Sequence, residues 1–272
     1  VKTALIQLNS GDDPTVNIVS TQEFLREASG SGAQFILTPE VTNCVSTSRD
    51  HQNKVLCPEN EDQTLFALRQ QADTLNVWLL IGSLAIKTND PDGRFANRSF
   101  LISPKGEVVA RYDKIHMFDV QISESETYQE SKGYRPGSKA VLAQTPFARI
   151  GMTICYDLRF PHLYRTLAQA GADILTVPSA FSSITGQAHW HSLLRARAIE
   201  TGCFVLAPAQ TGQHPGRRTF GHSLAISPWG DILVDAGTKA GISLVDLHME
   251  DVAKARKRIA SLSHDRPFEG PE

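Results

Sequence analysis

One thiol, one carboxylate and one ammonium stand at the ends of apolar runs in this sequence, and together they have the chemistry of acyl transfer. Cys155 closes the run Ala148 to Ile154 and is followed by a polar turn, Tyr156, Asp157, Leu158, Arg159, Phe160 and Pro161. A thiol at the mouth of a buried strand has the outline of a nucleophile elbow, whose following peptide N–H groups can point at whatever the sulfur attacks. A free Cys is also among the most often buried residues, so taken alone Cys155 reads first as packing. Glu40 follows the apolar run Phe35 to Thr38 and Pro39, and Lys114 follows Val108 to Asp113 in RYDKIH. Ligands in open sheets of this kind bind at strand ends. A thiol of ordinary pKa needs a base or a positive field to become a good nucleophile. A carboxylate can take its proton, and an ammonium can stabilise both thiolate and developing oxyanion. Each charge by itself reads as a solvated group at a strand end. The three together read as a base, a cation and a nucleophile.

Other groups offer less. Arg159, four residues past the thiol, can fork onto an internal acid or onto a substrate carboxylate. His116 and His222 are the candidate bases of an alternative Cys–His hydrolase. His189 and His191 are two apart and do not share a helix face, so metal ligation is not expected and capping or packing is. The pair Arg217-Arg218 reads as a solvated loop, with attraction of an anionic substrate tail as the sharper reading. Cys44 and Cys203 read as packing.

The elements that must position these groups alternate between strand and helix patterns. Lys2 to Leu8 reads as a strand. Asp13-Pro14 supplies a cap and a first-turn proline for a helix over Thr15 to Ala28. A helix over Thr64 to Leu75, with Leu65, Leu68, Ala72 and Leu75 on one face, precedes a strand over Val77 to Ala85. Ser99 to Ser103 and Glu107 to Asp113 form a hairpin about Pro104-Lys105-Gly106. The stretch Phe118 to Ser138 has no clear period, and a loop that long inside a compact domain is usually functional. Beyond Cys155 come a helix over Leu163 to Ala170, a strand over Ile174 to Val177, a helix over His189 to Thr201, a strand over Phe204 to Ala207 and a polar loop over Gln210 to Thr219. Two segments recur in order. SFLISPKG (Ser99 to Gly106) matches SLAISPWG (Ser223 to Gly230), and FILTP (Phe35 to Pro39) resembles ILTVP (Ile174 to Pro178). Duplicated α/β halves follow, within a layered sandwich.

The chain has 272 residues and a formal charge of -2, which gives no bulk-charge argument for nucleic acid or a membrane surface. It has no apolar segment of membrane-spanning length, and Val1 is not an initiator Met, so leading residues can be missing. Four cysteines lie scattered without metal-ligand or disulfide-framework spacing, as expected of a reduced cytoplasmic enzyme. The segment after Ala260 has too little apolar pattern for a core of its own. We therefore expect one domain over 1–260 and a tail over 261–272 that lies across a partner.

LTPE at Glu40, RYDKIH at Lys114 and GMTICYDLRFP at Cys155 resemble, in order and separation, the three signature blocks of the nitrilase (carbon–nitrogen hydrolase) superfamily. The resemblance spans essentially the whole chain. It implies a four-layer αββα sandwich with Cys155 as nucleophile, Glu40 as general base and Lys114, with the Tyr156 N–H, holding the oxyanion. It also implies a positioning role for Glu130 in TYQESKGYRPG, which otherwise reads as a loop charge. Tyr156-Asp157 stands where true nitrilases carry Trp-Glu, which favours amide over nitrile chemistry. SAFSSITGQAHWHSLLRARAIE (Ser179 to Glu200) and GRRTFGHS resemble the deaminated-glutathione amidase branch, although several relatives carry Glu where His191 stands. Arg159, Phe181 and Thr185 are then the candidate substrate contacts. The implied activity is metal- and cofactor-free release of ammonia from a small amide. Deaminated glutathione comes first as substrate, with α-ketoglutaramate, as in the ω-amidases, or a nitrile or N-carbamoyl compound as alternatives. A non-enzymatic scaffold on the same fold is the reading from another class. The family commonly assembles as homodimers or higher homo-oligomers.

Overall fold

The computed structural model describes residues 1–122 and 127–271. In chain order it forms β1 (Lys2–Gln7), α1 (Pro14–Gly30), β2 (Phe35–Leu37), α2 (Arg49–Val55), α3 (Gln63–Leu75), β3 (Trp78–Lys87), β4 (Phe95–Ile102) and β5 (Val108–Asp113). A short hairpin, β6 (Asp119–Gln121) and β7 (Thr127–Gln129), precedes β8 (Val141–Gln144), β9 (Arg149–Met152), α4 (Pro161–Gln169), β10 (Ile174–Thr176), α5 (Ser183–Thr201) and β11 (Phe204–Ala207). Then follow β12 (Thr211–His214), β13 (Arg217–Phe220), β14 (Leu224–Ile226), β15 (Ile232–Asp235), β16 (Gly241–Asp246) and α6 (Glu250–Arg258).

Local chemistry sets the helix ends where the sequence marks them. The Asp13 carboxylate accepts from Thr15 N at 2.8 Å and Pro14 opens α1, satisfying a donor that the helix leaves unpaired. Asp62 caps α3 through Leu65 N at 2.8 Å, and Asn76 closes it in the left-handed conformation at φ 52°, which an Asn tolerates better than most residues.

Two six-stranded sheets result, ordered β16-β1-β2-β3-β4-β5 and β15-β14-β11-β10-β9-β8. In the first, β1, β2 and β3 run parallel and β4 and β5 follow antiparallel. In the second, β9, β10 and β11 run parallel and β14 and β15 follow antiparallel. The halves therefore share one topology, with β2 equivalent to β10 and the β4–β5 hairpin to β14–β15, the same pairs that the repeated sequence segments picked out. Each half has a single extra antiparallel edge strand, β16 beside β1 and β8 beside β9.

The period-2 alternation of strands sorts the core into layers. Leu5, Phe35, Leu37, Leu80, Leu101 and Tyr112 pack toward the second sheet. Their neighbours Ala4, Ile6, Ile36, Leu79 and Ile81 pack under Leu25 of α1 and Leu65 and Leu68 of α3. On the far side Leu163 and Leu167 of α4 and Trp190 and Leu194 of α5 cover the second sheet. The order is helix, sheet, sheet, helix, the expected αββα sandwich.

Three expectations are corrected. Gln210 to Thr219 is not a loop but carries the hairpin β12–β13, paired from Thr211↔Phe220 to His214↔Arg217. Helix α5 begins at Ser183 rather than His189, its first turns being too polar to show a buried stripe. Strand β4 begins at Phe95, upstream of Ser99. Residues 123–126, inside the long aperiodic stretch, and Glu272 lie outside the described residues. The chain after Ala260 meets its own α4, where the Arg165 guanidinium donates to Ser261 O and pairs with Asp265. No helix of the described residues is long and apolar enough to cross a membrane.

Candidate active site

Glu40, Lys114 and Cys155 meet at one end of the sandwich. Each comes from a strand end, and the turns at Glu40 and Cys155 need an unusual local backbone. Beyond β2, Thr38 N still bonds Leu80 O at 3.0 Å, then the chain turns at Val41 with φ 47°. Ser83 fixes that turn from the next strand, its Oγ accepting from Val41 N at 2.8 Å. Gly82 is what allows the approach, since a Cβ there would lie 2.0 Å from Thr38 O and 2.6 Å from Pro39 O. Gln210 closes the turn from the other half by donating to Glu40 O at 3.1 Å.

Cys155 has φ 49°, a left-handed conformation costing ~1–2 kcal/mol in a non-glycine residue. It opens a one-and-a-half-turn 3-10 helix, Cys155–Arg159, whose first N–H groups have no acceptor within the turn. Asp157 holds the elbow in place. It is fully buried and accepts from Ile154 N at 2.9 Å, Tyr112 Oη at 2.6 Å and His116 N at 3.0 Å, with His116 Nδ1 at 2.7 Å. His116 also stacks on Phe160 at 3.5 Å. It is thereby occupied as a support for the elbow, and neither it nor His222 is among the residues lining the cleft at the thiol. The Cys–His arrangement has no geometry behind it.

The charges interlock. Lys114 Nζ is 2.9 Å from Glu40 Oε1 and 2.9 Å from both carboxylate oxygens of Glu130. The ammonium is 2 % exposed and Glu40 5 %, so these contacts replace water almost completely. Glu40 Oε1 also accepts from Asn97 Nδ2 at 2.9 Å, and Oε2 from the backbone Ala180 N at 2.7 Å. Burial alone would raise the Glu40 pKa, but the Lys114 charge and these donors hold it below the ordinary carboxylate value. Burial likewise opposes the Lys114 charge, yet Glu130 and then Glu40 hold its pKa well above that of a free lysine. Burial, followed by the negative charge of Glu40, pushes the pKa of the Cys155 thiol up. The resting sulfur is a protonated thiol facing an ionised carboxylate.

Above the thiol lies a cleft of about 410 Å³ whose walls include Phe118, Tyr128, Tyr134, Phe181 and Arg217. This volume is in the range of small-molecule sites. The aperiodic stretch supplies one wall, as expected, through Phe118, Tyr128, Glu130 and Tyr134. Tyr156, Phe181 and Thr185 also line it, and the Thr185 hydroxyl is buried there with no hydrogen-bond partner among the described residues. Arg159 sits elsewhere, in an adjoining groove, with its Nη2 3.2 Å from His189 Nδ1. Among the described residues it meets no internal acid.

Two participants, Asn97 and the Ala180 N–H, escaped sequence reasoning, and Arg217 and Asp157 were noted there without these contacts. Asn97 projects inward from β4 and bridges Glu40 to Glu130; a polar amide inside a strand that also reads apolar was the available signal. The Ala180 N–H leaves no trace in side-chain identities. Arg217, on β13, reaches the cleft and donates to Ala180 O, so of the basic pair it is Arg217 that faces the cleft while Arg218 is exposed. Asp157 carried a signal only as part of the motif. Replacing Asn97 by Ala removes the lateral hold on Glu40 and is expected to lower kcat about 10- to 100-fold with little change in KM, as measured by steady-state ammonia release.

The carbon–nitrogen hydrolase family's sequence model matches residues 2–257. The chain belongs to that family. The hydrolase is 37% identical over 97% of its length to the deaminated glutathione amidase of Yersinia enterocolitica, covering 92% of that protein. It is 38% identical to the deaminated glutathione amidase of Homo sapiens, over 97% of its own length and 82% of the relative. The crystal structure of the C. elegans NitFhit protein superposes on it with a TM-score of 0.90 at 31% identity. That match covers 97% of the hydrolase and 65% of the worm chain, so the hydrolase spans about two thirds of that protein's length. Its activity is that of an amidase.

Proposed function

We propose that the hydrolase releases ammonia from the carboxamide of a small anionic acid through a Cys155 thioester, with deaminated glutathione as the preferred substrate. The observation that carries this reading is the contact set Cys155–Glu40–Lys114–Glu130 at the floor of a cleft whose outer walls are cationic. Among the described residues Arg49, Lys132 and Arg217 line the cleft, and the acids lining it are Glu40 and Glu130. With Lys114 balancing one of those two carboxylates, the positive charge lies toward the walls. A substrate carboxylate is drawn there while its amide meets the thiol.

In this mechanism Glu40 takes the proton of Cys155 as Sγ attacks the amide carbon. The carbonyl oxygen becomes an oxyanion held by Lys114 Nζ and the Tyr156 N–H, a preorganised pair that needs no rearrangement. Glu40 returns the proton to the nitrogen, ammonia leaves and a thioester remains. Water, losing its proton to the same carboxylate, attacks that thioester and frees the acid and the thiol. Glu130 keeps the ammonium aimed between the carboxylates, and Phe181 and Thr185 meet the substrate. Arg159 is assigned to the adjoining groove.

Ammonia release from deaminated glutathione, α-ketoglutaramate, an N-carbamoyl amino acid and an aliphatic nitrile separates the alternatives. The highest kcat/KM is expected for deaminated glutathione. A higher value for α-ketoglutaramate assigns the enzyme to the ω-amidases. Preferential turnover of the nitrile or the carbamoyl compound overturns the amide reading, and no turnover of any leaves the scaffold. A cytoplasmic location and a homo-oligomer, with the segment after Ala260 at the subunit contact, complete the proposal; sedimentation of the chain with and without that segment tests the last.

A further inference from the structure

We propose that His191, His222 and Asp235 form a binding site for one borderline divalent transition-metal ion, such as Zn²⁺, outside the catalytic cleft. The three come from separate elements: His191 from the middle of α5, His222 from the connection after β13, and Asp235 from the end of β15. His191 Nε2 is 3.0 Å from Asp235 Oδ2 and His222 Nδ1 is 2.9 Å from Asp235 Oδ1. The potential ligand atoms all lie within 4.8 Å of one another. Tetrahedral Zn²⁺ with ligand bonds of about 2.0–2.1 Å needs its donors about 3.3 Å apart. A small opening of the two N···O contacts and a closing of the imidazoles achieves that, without moving a backbone segment.

The donor set is two imidazoles and one carboxylate, which suits Zn²⁺, Cu²⁺ or Ni²⁺ rather than Ca²⁺ or Mg²⁺. None of the three residues lines the cleft. Their spacing in sequence conceals them: His191 pairs with His222 and not with its neighbour His189. The site is also held in advance. His222 N donates to Gly237 O at 2.6 Å, its carbonyl accepts from Trp190 Nε1 at 2.8 Å, and its ring stacks on Phe220 at 4.5 Å. Asp235 Oδ1 accepts from Gly237 N at 2.9 Å. All three side chains are about one-quarter to one-third exposed, at 34 %, 24 % and 34 % for His191, His222 and Asp235, so a metal has an entry path and an outward position for water. On binding, each neutral imidazole presents to the metal the nitrogen now facing Asp235 and carries its proton on the other ring nitrogen; no oxidant or co-reactant is involved.

The consequence is a clamp. The ion would tie α5, whose first turns carry Thr185 into the cleft, to the end of β13, which carries Arg217, and to β15. Tag-free protein titrated with Co²⁺ and with Zn²⁺ is expected to bind about one equivalent of either with a raised Tm, the Co²⁺ form showing visible d–d bands and no thiolate charge-transfer band. His191→Gln and Asp235→Asn are expected to weaken binding about 10- to 100-fold or more, the scale at which even outer partners of a metal act, and to abolish the thermal shift while circular dichroism stays native. Unchanged binding in both variants, a thiolate band, or no saturable binding each overturns the proposal. His222→Asn, which keeps a residue that tolerates the local φ of 54°, gives the third ligand's test independently of the other two.

Discussion

Cys155→Ala is expected to reduce ammonia release by about 10⁴-fold or more, because the covalent route through the sulfur beside Glu40 and Lys114 disappears. Substrate should still bind, since the walls that hold it are untouched, so the loss should fall on kcat and not on KM. Wild-type enzyme quenched during turnover should carry the acyl mass on Cys155, and the variant should not. Substantial turnover by the alanine variant would remove the thioester from the mechanism. Cys155→Ser keeps the shape but offers a hydroxyl that Glu40 deprotonates far less readily, and a comparable loss is expected. The raised pKa of Cys155 adds a finer expectation. The resting sulfur carries its proton, so iodoacetamide should label it slowly at neutral pH in spite of the catalytic role proposed for it, with labelling accelerating toward alkaline pH. Cys44, pushed up to about 12 first by its burial and then by Asp12 and Asp13, should be slower still at neutral pH because it is more deeply buried than Cys155 and its thiol donates to Asp12 O.

What the sequence made legible follows from where the information resides. Cys155, Glu40 and Lys114 were visible because each interrupts an apolar strand run with a reactive group, and because strand ends in such sheets face ligands. The duplicated topology was visible because both hairpins use the same turn chemistry, Ser-Pro-x-Gly, at Ser103 to Gly106 and Ser227 to Gly230. Boundaries were lost where burial does not follow a side-chain period. The first turns of α5, Ser183 to Ala188, turn Thr185 to the cleft and leave no apolar stripe; the hairpin β12–β13 is held by its own backbone ladder about Pro215-Gly216 and also reads polar. The Ala180 N–H that fixes Glu40 belongs to the backbone, and any residue but proline would supply it. Asn97 and Arg217 act from strands whose register alone turns them inward. Register is a tertiary property, decided by which strands pair, and a single sequence carries it only indirectly. The same limit hid His222 beside His191, thirty-one residues apart and joined through Asp235.

Lys114→Met should produce the largest loss of stability, and its pH dependence should run opposite to that of the wild-type pair. In the wild type, Glu40 has a depressed pKa, so its stabilising contribution is present above the unfolded value near 4.5 and is lost as pH falls through the lower folded value. Lys114 has a raised pKa, so its contribution is present below the unfolded value near 10.5 and is lost only as pH rises through the higher folded value. The pair therefore stabilises the fold across the neutral range. Methionine fills the space of the lysine stem but leaves the buried Glu40 carboxylate beside the partly buried Glu130 with no cation, which costs about 3–5 kcal/mol. Burial and the neighbouring negative charge then raise the Glu40 pKa above its unfolded value, and the folded variant takes up a proton. Its denaturation midpoint should climb as pH falls from about 8 to 5, where the wild type gains nothing. Activity should fall separately, by about 10²–10³-fold at the chemical step, because one oxyanion donor is gone. Adding Glu130→Gln discriminates the two effects. The double variant should regain most of the lost stability, since a single buried carboxylate is left and Asn97 and the Ala180 N–H still bond it, but it should regain none of the lost kcat. If the second substitution restored activity as well, Lys114 would be a structural counter-ion and the oxyanion would have to be held by backbone N–H groups alone.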